Sequence, residues 1–111
     1  MRHTSKVSKF SGYVELPDYL NIRQVRAFED SLGEPDEMEQ GDSKKVWKSV
    51  ADEKRLPVVL LCVKEWGIEG IPASPTLDTF PMTPLAEAHE LIQWIYVLIR
   101  DLWIGENVPN A

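Results

Sequence analysis

Apolar and polar residues alternate near the start of the chain. In the segment KFSGYVELP, the residues at even positions 10 to 16 fall on one side of an extended backbone and those between them fall on the other. This two-residue period is typical of a β-strand with one buried face. It predicts a strand over about residues 7–16, closed by Pro17, which pairs with the preceding segment as a hairpin or with the edge of another subunit.

A helical period follows the strand. The apolar residues of this segment recur at spacings of three and four: Ile22, Val25, Phe28 and Leu32. They predict a helix over about residues 21–32, with Asn21 as its N-cap and Gly33 at its C-terminal end. The next stretch, EPDEMEQGDS, is acidic and contains proline and glycine, so a solvated loop is expected there.

Two further helical segments are predicted in the middle of the chain, over about residues 43–55 and 57–66. The second is apolar almost all round and is expected at the centre of the fold. Pro57 allows two interpretations, because proline suits the first turn of a new helix but kinks a continuous one. Two helices that meet near Pro57 are the favoured interpretation, and Gly67 is then the left-handed residue that ends the second helix.

The last helix is expected over about residues 84–104. Thr83 and Pro84 have the order of an N-cap followed by proline at the first helical position. Gly105 is expected to end the helix, which leaves residues 105–111 as a tail. The proline-rich connection before it is predicted to be ordered, with three apolar side chains held against the helices: Ile71, Leu77 and Phe80. The sequence thus predicts an α+β, mainly α fold: one domain over residues 1–111, with three to four helices and a short N-terminal strand or hairpin.

Charge and composition exclude several classes of protein. The 111 residues carry a net charge of −6, whereas nucleic-acid binding depends on neutralising phosphates with basic residues. The apolar segment Leu91–Ile104 is shorter than the roughly 20 residues of a membrane span. The basic start MRHTSKVSKF has no apolar core of a signal peptide, so secretion is not expected.

No residue pattern predicts catalysis or metal binding. His89 has no second ligand at the spacing of a helical metal site, and Cys62 lies among aliphatic residues that favour packing over nucleophilic chemistry. The acidic run over residues 29–42 lacks the ligand spacing of a calcium loop. The chain is therefore predicted to be non-enzymatic, without catalytic residues, metal or cofactor. A small enzyme or ligand-binding module, based on His89 and the acidic loop, is the weakest hypothesis.

The last helix has more apolar surface than a core requires. One stripe is sufficient to face the core: Leu85, Ala88, Ile92, Ile95, Tyr96, Ile99 and Trp103. A second stripe lies beside it: Leu91, Trp94 and Leu98. Either a tight bundle surrounds this helix, or part of its surface contacts another chain. The second interpretation is favoured, and it selects four residues as a partner-binding surface, with the tryptophans as expected hot spots: Leu91, Trp94, Leu98 and Trp103.

Four segments in this order resemble the small tail assembly chaperones of long-tailed bacteriophages: RAFEDSL, LPVVLLCVKEWGIEGIP, DTFPMTPLAEAHELIQWIYVLI and VPNA. The resemblance covers the chain from about Ser11 to its end. It implies a non-enzymatic protein of the infected bacterial cytoplasm that binds and solubilises the tape measure protein during tail assembly. The tail tube protein is a further candidate partner, and self-association is expected.

A second function class remains open beside the chaperone. A small structural protein of the virion, such as a tail, neck or capsid-decorating component, would use the same apolar helix surface in a permanent oligomeric interface. Both hypotheses expect protein partners, with no nucleic acid and no membrane.

Overall fold

A computed structural model of the chain describes residues 1–32 and 52–107. In chain order the described elements are β1 (Arg2–Thr4), β2 (Gly12–Glu15), α1 (Ile22–Ser31), α2 (Asp52–Cys62), β3 (Glu65–Ile68) and α3 (Leu85–Asn107). Three helices and a small antiparallel sheet confirm the predicted α+β, mainly α class. No helix in this described part is long and apolar enough to cross a membrane.

The sheet has the strand order β1-β2-β3, with both neighbouring pairs antiparallel. The predicted hairpin with the preceding segment is confirmed, because His3 of β1 lies opposite Val14 of β2. The predicted alternation also holds, since Phe10, Val14 and Leu16 are buried and Ser11 between them is exposed. Strand β2 is shorter than the predicted range of 7–16, because the chain turns back between β1 and β2 and the Phe10 amide donates to the Val7 carbonyl at 3.1 Å.

Strand β3 corrects the predicted helix end at Trp66 and Gly67. Residues 65–68 pair with β2, with Gly67 opposite Tyr13 and Trp66 opposite Val14. A β-carbon on Gly67 would lie 2.2 Å from Cε1 of Tyr13, so the tyrosine ring crosses the strand over the glycine. Gly67 does not have a left-handed conformation. Its missing side chain makes room for a cross-strand aromatic ring, and Trp66 and Ile68 on the other face enter the core.

Helix α2 is continuous through Pro57. The favoured interpretation of two helices is therefore wrong, and the single helix through this proline is the structure observed. Pro57 is exposed whereas Leu56 and Val58 beside it are buried. Burial of the apolar neighbours offsets the cost of about 3 kcal/mol for a proline inside a helix. Residues 43–51 of the predicted helix 43–55, and the predicted loop with Gly33, lie outside the described residues.

Helix α3 begins one residue later and ends later than predicted. The Pro84 carbonyl accepts the first helical hydrogen bond from the Ala88 amide at 2.9 Å, so Pro84 precedes the helix and is not its first residue. The Thr83-Pro84 peptide is cis. The predicted end at Gly105 is wrong, since the helix continues to Asn107. Gly105 is exposed, where glycine costs a helix only about 1 kcal/mol. Residues 108–111 of the predicted tail lie outside the described range.

Tyr96 joins the three helices at the centre of the core. Its hydroxyl and that of Ser31 on α1 are 2.5 Å apart, and its ring centroid is 5.1 Å from that of Phe28. The Arg55 guanidinium of α2 lies 5.6 Å from the ring centroid. Burial raises the pKa of Tyr96 and lowers the pKa of Arg55, because an apolar environment disfavours the charged form of each group. These contacts hold both shorter helices against α3.

Three apolar residues predicted to pack inward are exposed instead. Ile22 at the start of α1 is 71% exposed, Leu77 in the proline-rich connection is 61% exposed and Leu85 at the start of α3 is 58% exposed. Ile22 and Leu85 are the first residues of their helices and extend beyond the core. Phe28 and Leu32 are buried as predicted, Val25 is half-buried, and Gln24 and Ser31 are buried as well.

Candidate protein-binding surface

The core side of α3 is completely filled. Six residues on this side have no exposed surface: Ala88, Leu91, Ile92, Ile95, Tyr96 and Ile99. They pack against α1 and α2 and include most of the first predicted stripe. Any surface of α3 that contacts a partner must therefore lie on its flanks or on its outer side.

The structure separates the four predicted binding residues. Leu91 is completely buried, so it belongs to the core and not to an accessible surface. Trp94 and Leu98 are half-buried beside the core on one flank of α3. Trp103 follows Trp94 by nine residues, which is about two and a half helical turns and places it on the opposite flank.

Trp103 contacts α1 within the same molecule. Its indole Nε1 donates to Oε2 of Glu29 at 3.1 Å, and its ring centroid lies 5.2 Å from that of Phe28. These contacts of Trp103 help to hold α1 against α3. Of the four predicted residues, only Trp94 and Leu98 form one accessible surface.

A continuous stripe of residues runs along the outer side of α3 and includes Trp94. We call these five residues the outer stripe: Glu90, Trp94, Val97, Asp101 and Ile104. Their spacings of four, three, four and three match the heptad seam along which one helix packs on another. Trp94 and Val97 are half-buried, Ile104 is 37% exposed, and the two acids are exposed. The stripe thus combines accessible apolar side chains with negative charge, and this regular spacing is visible in the sequence.

A groove between α1 and α2 is a second candidate surface, which the hydrophobic pattern did not predict. Its volume is about 480 Å³. Four of its residues are apolar, and four are polar or charged: Ala27, Pro57, Val58 and Leu61, with Arg23, Asp30, Ser31 and Lys54. Each helix contributes one stripe of about two turns. Only the packing of α1 beside α2 brings the two stripes together, so neither segment alone indicates the groove.

Cys62 and His89, the two residues considered for nucleophilic or metal chemistry, lie in different environments. Cys62 is completely buried, and burial raises the pKa of its thiol to about 12, which keeps it protonated at neutral pH. His89 is exposed on α3. Within residues 1–32 and 52–107, no three His, Cys, Asp or Glu side chains are close enough to hold a metal ion.

A scan against models of protein families found no match to this chain, and neither did searches of curated proteins and of solved structures.

Proposed function

We propose that this chain is a non-enzymatic tail assembly chaperone of a long-tailed bacteriophage, which binds the tape measure protein in the infected bacterial cytoplasm. One observation carries the proposal: Trp94, Val97 and Ile104 remain accessible on a helix whose core side is already filled. Accessible apolar side chains aligned along one helix are typical of a surface that binds another protein. Leu98 extends the surface toward the core.

The geometry of the outer stripe favours a helical partner. A stripe with spacings of three and four residues presents its side chains along one line, which a second helix can follow over several turns. Ile104 follows Glu90 by fourteen positions, which places them about 21 Å apart along the helix. A tape measure protein is expected to be long and helical, so it can offer repeated segments of this kind. The net charge of −6 helps to keep such a complex in solution.

Co-expression with the tape measure protein tests the proposal. We expect a soluble complex that survives purification, whereas the tape measure protein alone aggregates. The measurement is the soluble fraction of the tape measure protein with and without this chain. An identical soluble fraction in both cultures would contradict the chaperone function.

Paired substitutions locate the binding surface. Changing Val97→Asp together with Ile104→Asp should lower the yield of the complex at least about tenfold, because desolvating a carboxylate in an apolar contact costs several kcal/mol. The matched control is Ile22→Asp with Leu77→Asp, two apolar residues that are exposed elsewhere on the molecule. An equal loss from both double variants would argue against the outer stripe as the specific surface. Urea unfolding of each variant checks that the fold is retained.

Purified particles distinguish the chaperone from a structural virion component. A chaperone leaves before the tail is complete, so mass spectrometry of mature particles should not detect the chain. A stoichiometric amount in the particles would favour a permanent tail, neck or capsid-decorating role instead.

A further inference from the structure

We propose that the groove between α1 and α2 binds the outer stripe of a second copy of this chain. The two surfaces lie on different elements of one molecule, and each combines apolar side chains with charge. A contact between them joins two different surfaces, since the groove of one copy faces α3 of another. The proposal concerns the chain alone, and on one copy this contact and the proposed contact with the tape measure protein exclude each other, because both use the outer stripe.

Charge complementarity supports this occupant. The groove carries Arg23 and Lys54, and neither has an ion-pair partner among the described residues. The outer stripe carries Glu90 and Asp101 on its exposed side. Unlike charges that face each other across an interface fix its orientation and exclude wrong arrangements.

The minor charges of the two surfaces are also opposite in sign. Asp30 is the acid of the groove. Arg100 adjoins the outer stripe, where it forms an ion pair with Asp101 at 2.8 Å. A second copy therefore brings one base toward the groove together with its two acids. The groove has two bases and one acid, whereas the stripe has two acids and one adjoining base. Opposite charges can therefore face each other along the whole contact.

The dimensions of the two surfaces agree. Ser31 at the end of α1 and Arg55 near the start of α2 both lie beside Tyr96, so Lys54 is at this end of the groove. Arg23 lies two turns away, about 12 Å along α1. Glu90 and Asp101 are about 16 Å apart along α3, and the long side chains of arginine and lysine can span the difference.

The apolar parts of both surfaces would be covered by this contact. Trp94 and Val97 lie between the two acids of the stripe, so they meet the part of the groove between its two bases. That part is floored by Ala27, Val58 and Leu61. Val58 is already buried in one copy, so affinity comes from burying the half-buried side chains of Ala27, Leu61, Trp94 and Val97. The charges at both ends fix the register.

A charge-reversal experiment tests the contact. The groove variant carries Arg23→Glu and Lys54→Glu, and the stripe variant carries Glu90→Lys and Asp101→Lys. Sedimentation equilibrium of the 111-residue chain at low salt measures the mass as a function of concentration. We expect the wild-type mass to rise with concentration, and the apparent dissociation constant of either variant alone to rise at least about tenfold, because like charges then face each other.

Mixing the two variants gives the decisive measurement. In an equimolar mixture, the acids of one variant again face bases of the other, so association should return to within about threefold of wild type. The matched control, Lys9→Glu with Lys64→Glu, reverses two exposed bases outside both surfaces and should associate as wild type does.

Three results would overturn the proposal: a wild-type chain that stays monomeric up to millimolar concentration, reversed variants that associate like wild type, or a mixture that fails to recover. Circular dichroism of each variant establishes that it is folded. The groove variant separates the two proposals, because its outer stripe is unchanged and not covered by a second copy. If this variant fails to solubilise the tape measure protein while the wild-type chain self-associates, the proposed function is rejected and this inference stands.

Discussion

The core side and the outer side of α3 differ in how completely they are covered. On the core side, residues such as Ile92, Ile95 and Tyr96 have no exposed surface and contact two other helices. On the outer side, Trp94 and Val97 are half-buried and Ile104 is partly exposed. Both sides are rich in apolar residues, so hydrophobicity alone does not distinguish a core from a binding surface. The acids Glu90 and Asp101 distinguish the outer side, because charged residues occur at the rim of protein interfaces but are rarely buried in a core.

Truncation on the two sides of α3 should give the largest difference in stability. Tyr96→Ala removes a buried ring between three helices, and we expect it to lower the free energy of unfolding by about 3–5 kcal/mol. Val97→Ala on the outer side should cost less than about 1 kcal/mol, since its side chain is already partly solvated. Urea unfolding at neutral pH measures both values. Similar losses would show that the outer side is as tightly packed as the core.

Gly12 and Gly67 of the sheet allow the same comparison, because a β-carbon would meet fixed backbone at Gly12 and a movable side chain at Gly67. Gly12 has a φ of 135°, and a β-carbon there would lie 2.1 Å from the Gly67 carbonyl oxygen. Gly12→Ala should therefore cost at least about 2 kcal/mol, because neither the backbone conformation nor the carbonyl can adjust cheaply. Gly67→Ala meets only the half-exposed ring of Tyr13, which can move, so about 1 kcal/mol is expected. Thermal unfolding of both variants tests the order, and a larger loss from Gly67→Ala would contradict it.

The pH dependence of stability reports on the buried thiol. Cys62 has its pKa raised from 9.0 to about 12 by burial, so above pH 9 the unfolded chain loses this proton first. The unfolded state then binds fewer protons than the folded state, and stability falls as pH rises. Between pH 8 and pH 10 this group should remove about 1.4 kcal/mol from the free energy of unfolding.

The control for the thiol is the Cys62→Ala variant. It is expected to be less stable at pH 8, because the smaller side chain leaves a cavity. Its further loss between pH 8 and pH 10 should nevertheless be smaller than that of the wild type by the contribution of the thiol. Parallel pH profiles of the two proteins would show that Cys62 is accessible to solvent in the folded state.

The sequence correctly predicted those elements in which a regular pattern of apolar residues extends over many positions. The alternation around Val14 and the inward stripe of α3 identified a strand and the core residues, because one buried face selects one periodicity. Strand β3 was missed since four residues are too few to show a period, and a glycine after an apolar run resembles a helix end. Whether the helix continues through Pro57 depends on the burial of its neighbours Leu56 and Val58 in the core. Local helix propensity contains no information about that burial.

The binding surface was predicted in part. The spacing of four residues between Trp94 and Leu98 places them on one flank of α3. Trp103 follows Trp94 by nine residues, which places it on the other flank. The contact of Trp103 with Glu29 joins residues 74 positions apart, so no local pattern indicates it. The groove between α1 and α2 is likewise a product of tertiary packing, and only the fold brings Arg23 and Lys54 to the same site.

The position of Tyr96 has a consequence for how the molecule opens. Because one side chain contacts α1 through Ser31 and Phe28 and lies beside Arg55 of α2, neither short helix can detach without disturbing the same junction. Backbone amides in the middle of the three helices should therefore exchange their hydrogens in one cooperative opening event. Protein partners would meet a rigid α3, whose outer side is held in place by the residues behind it.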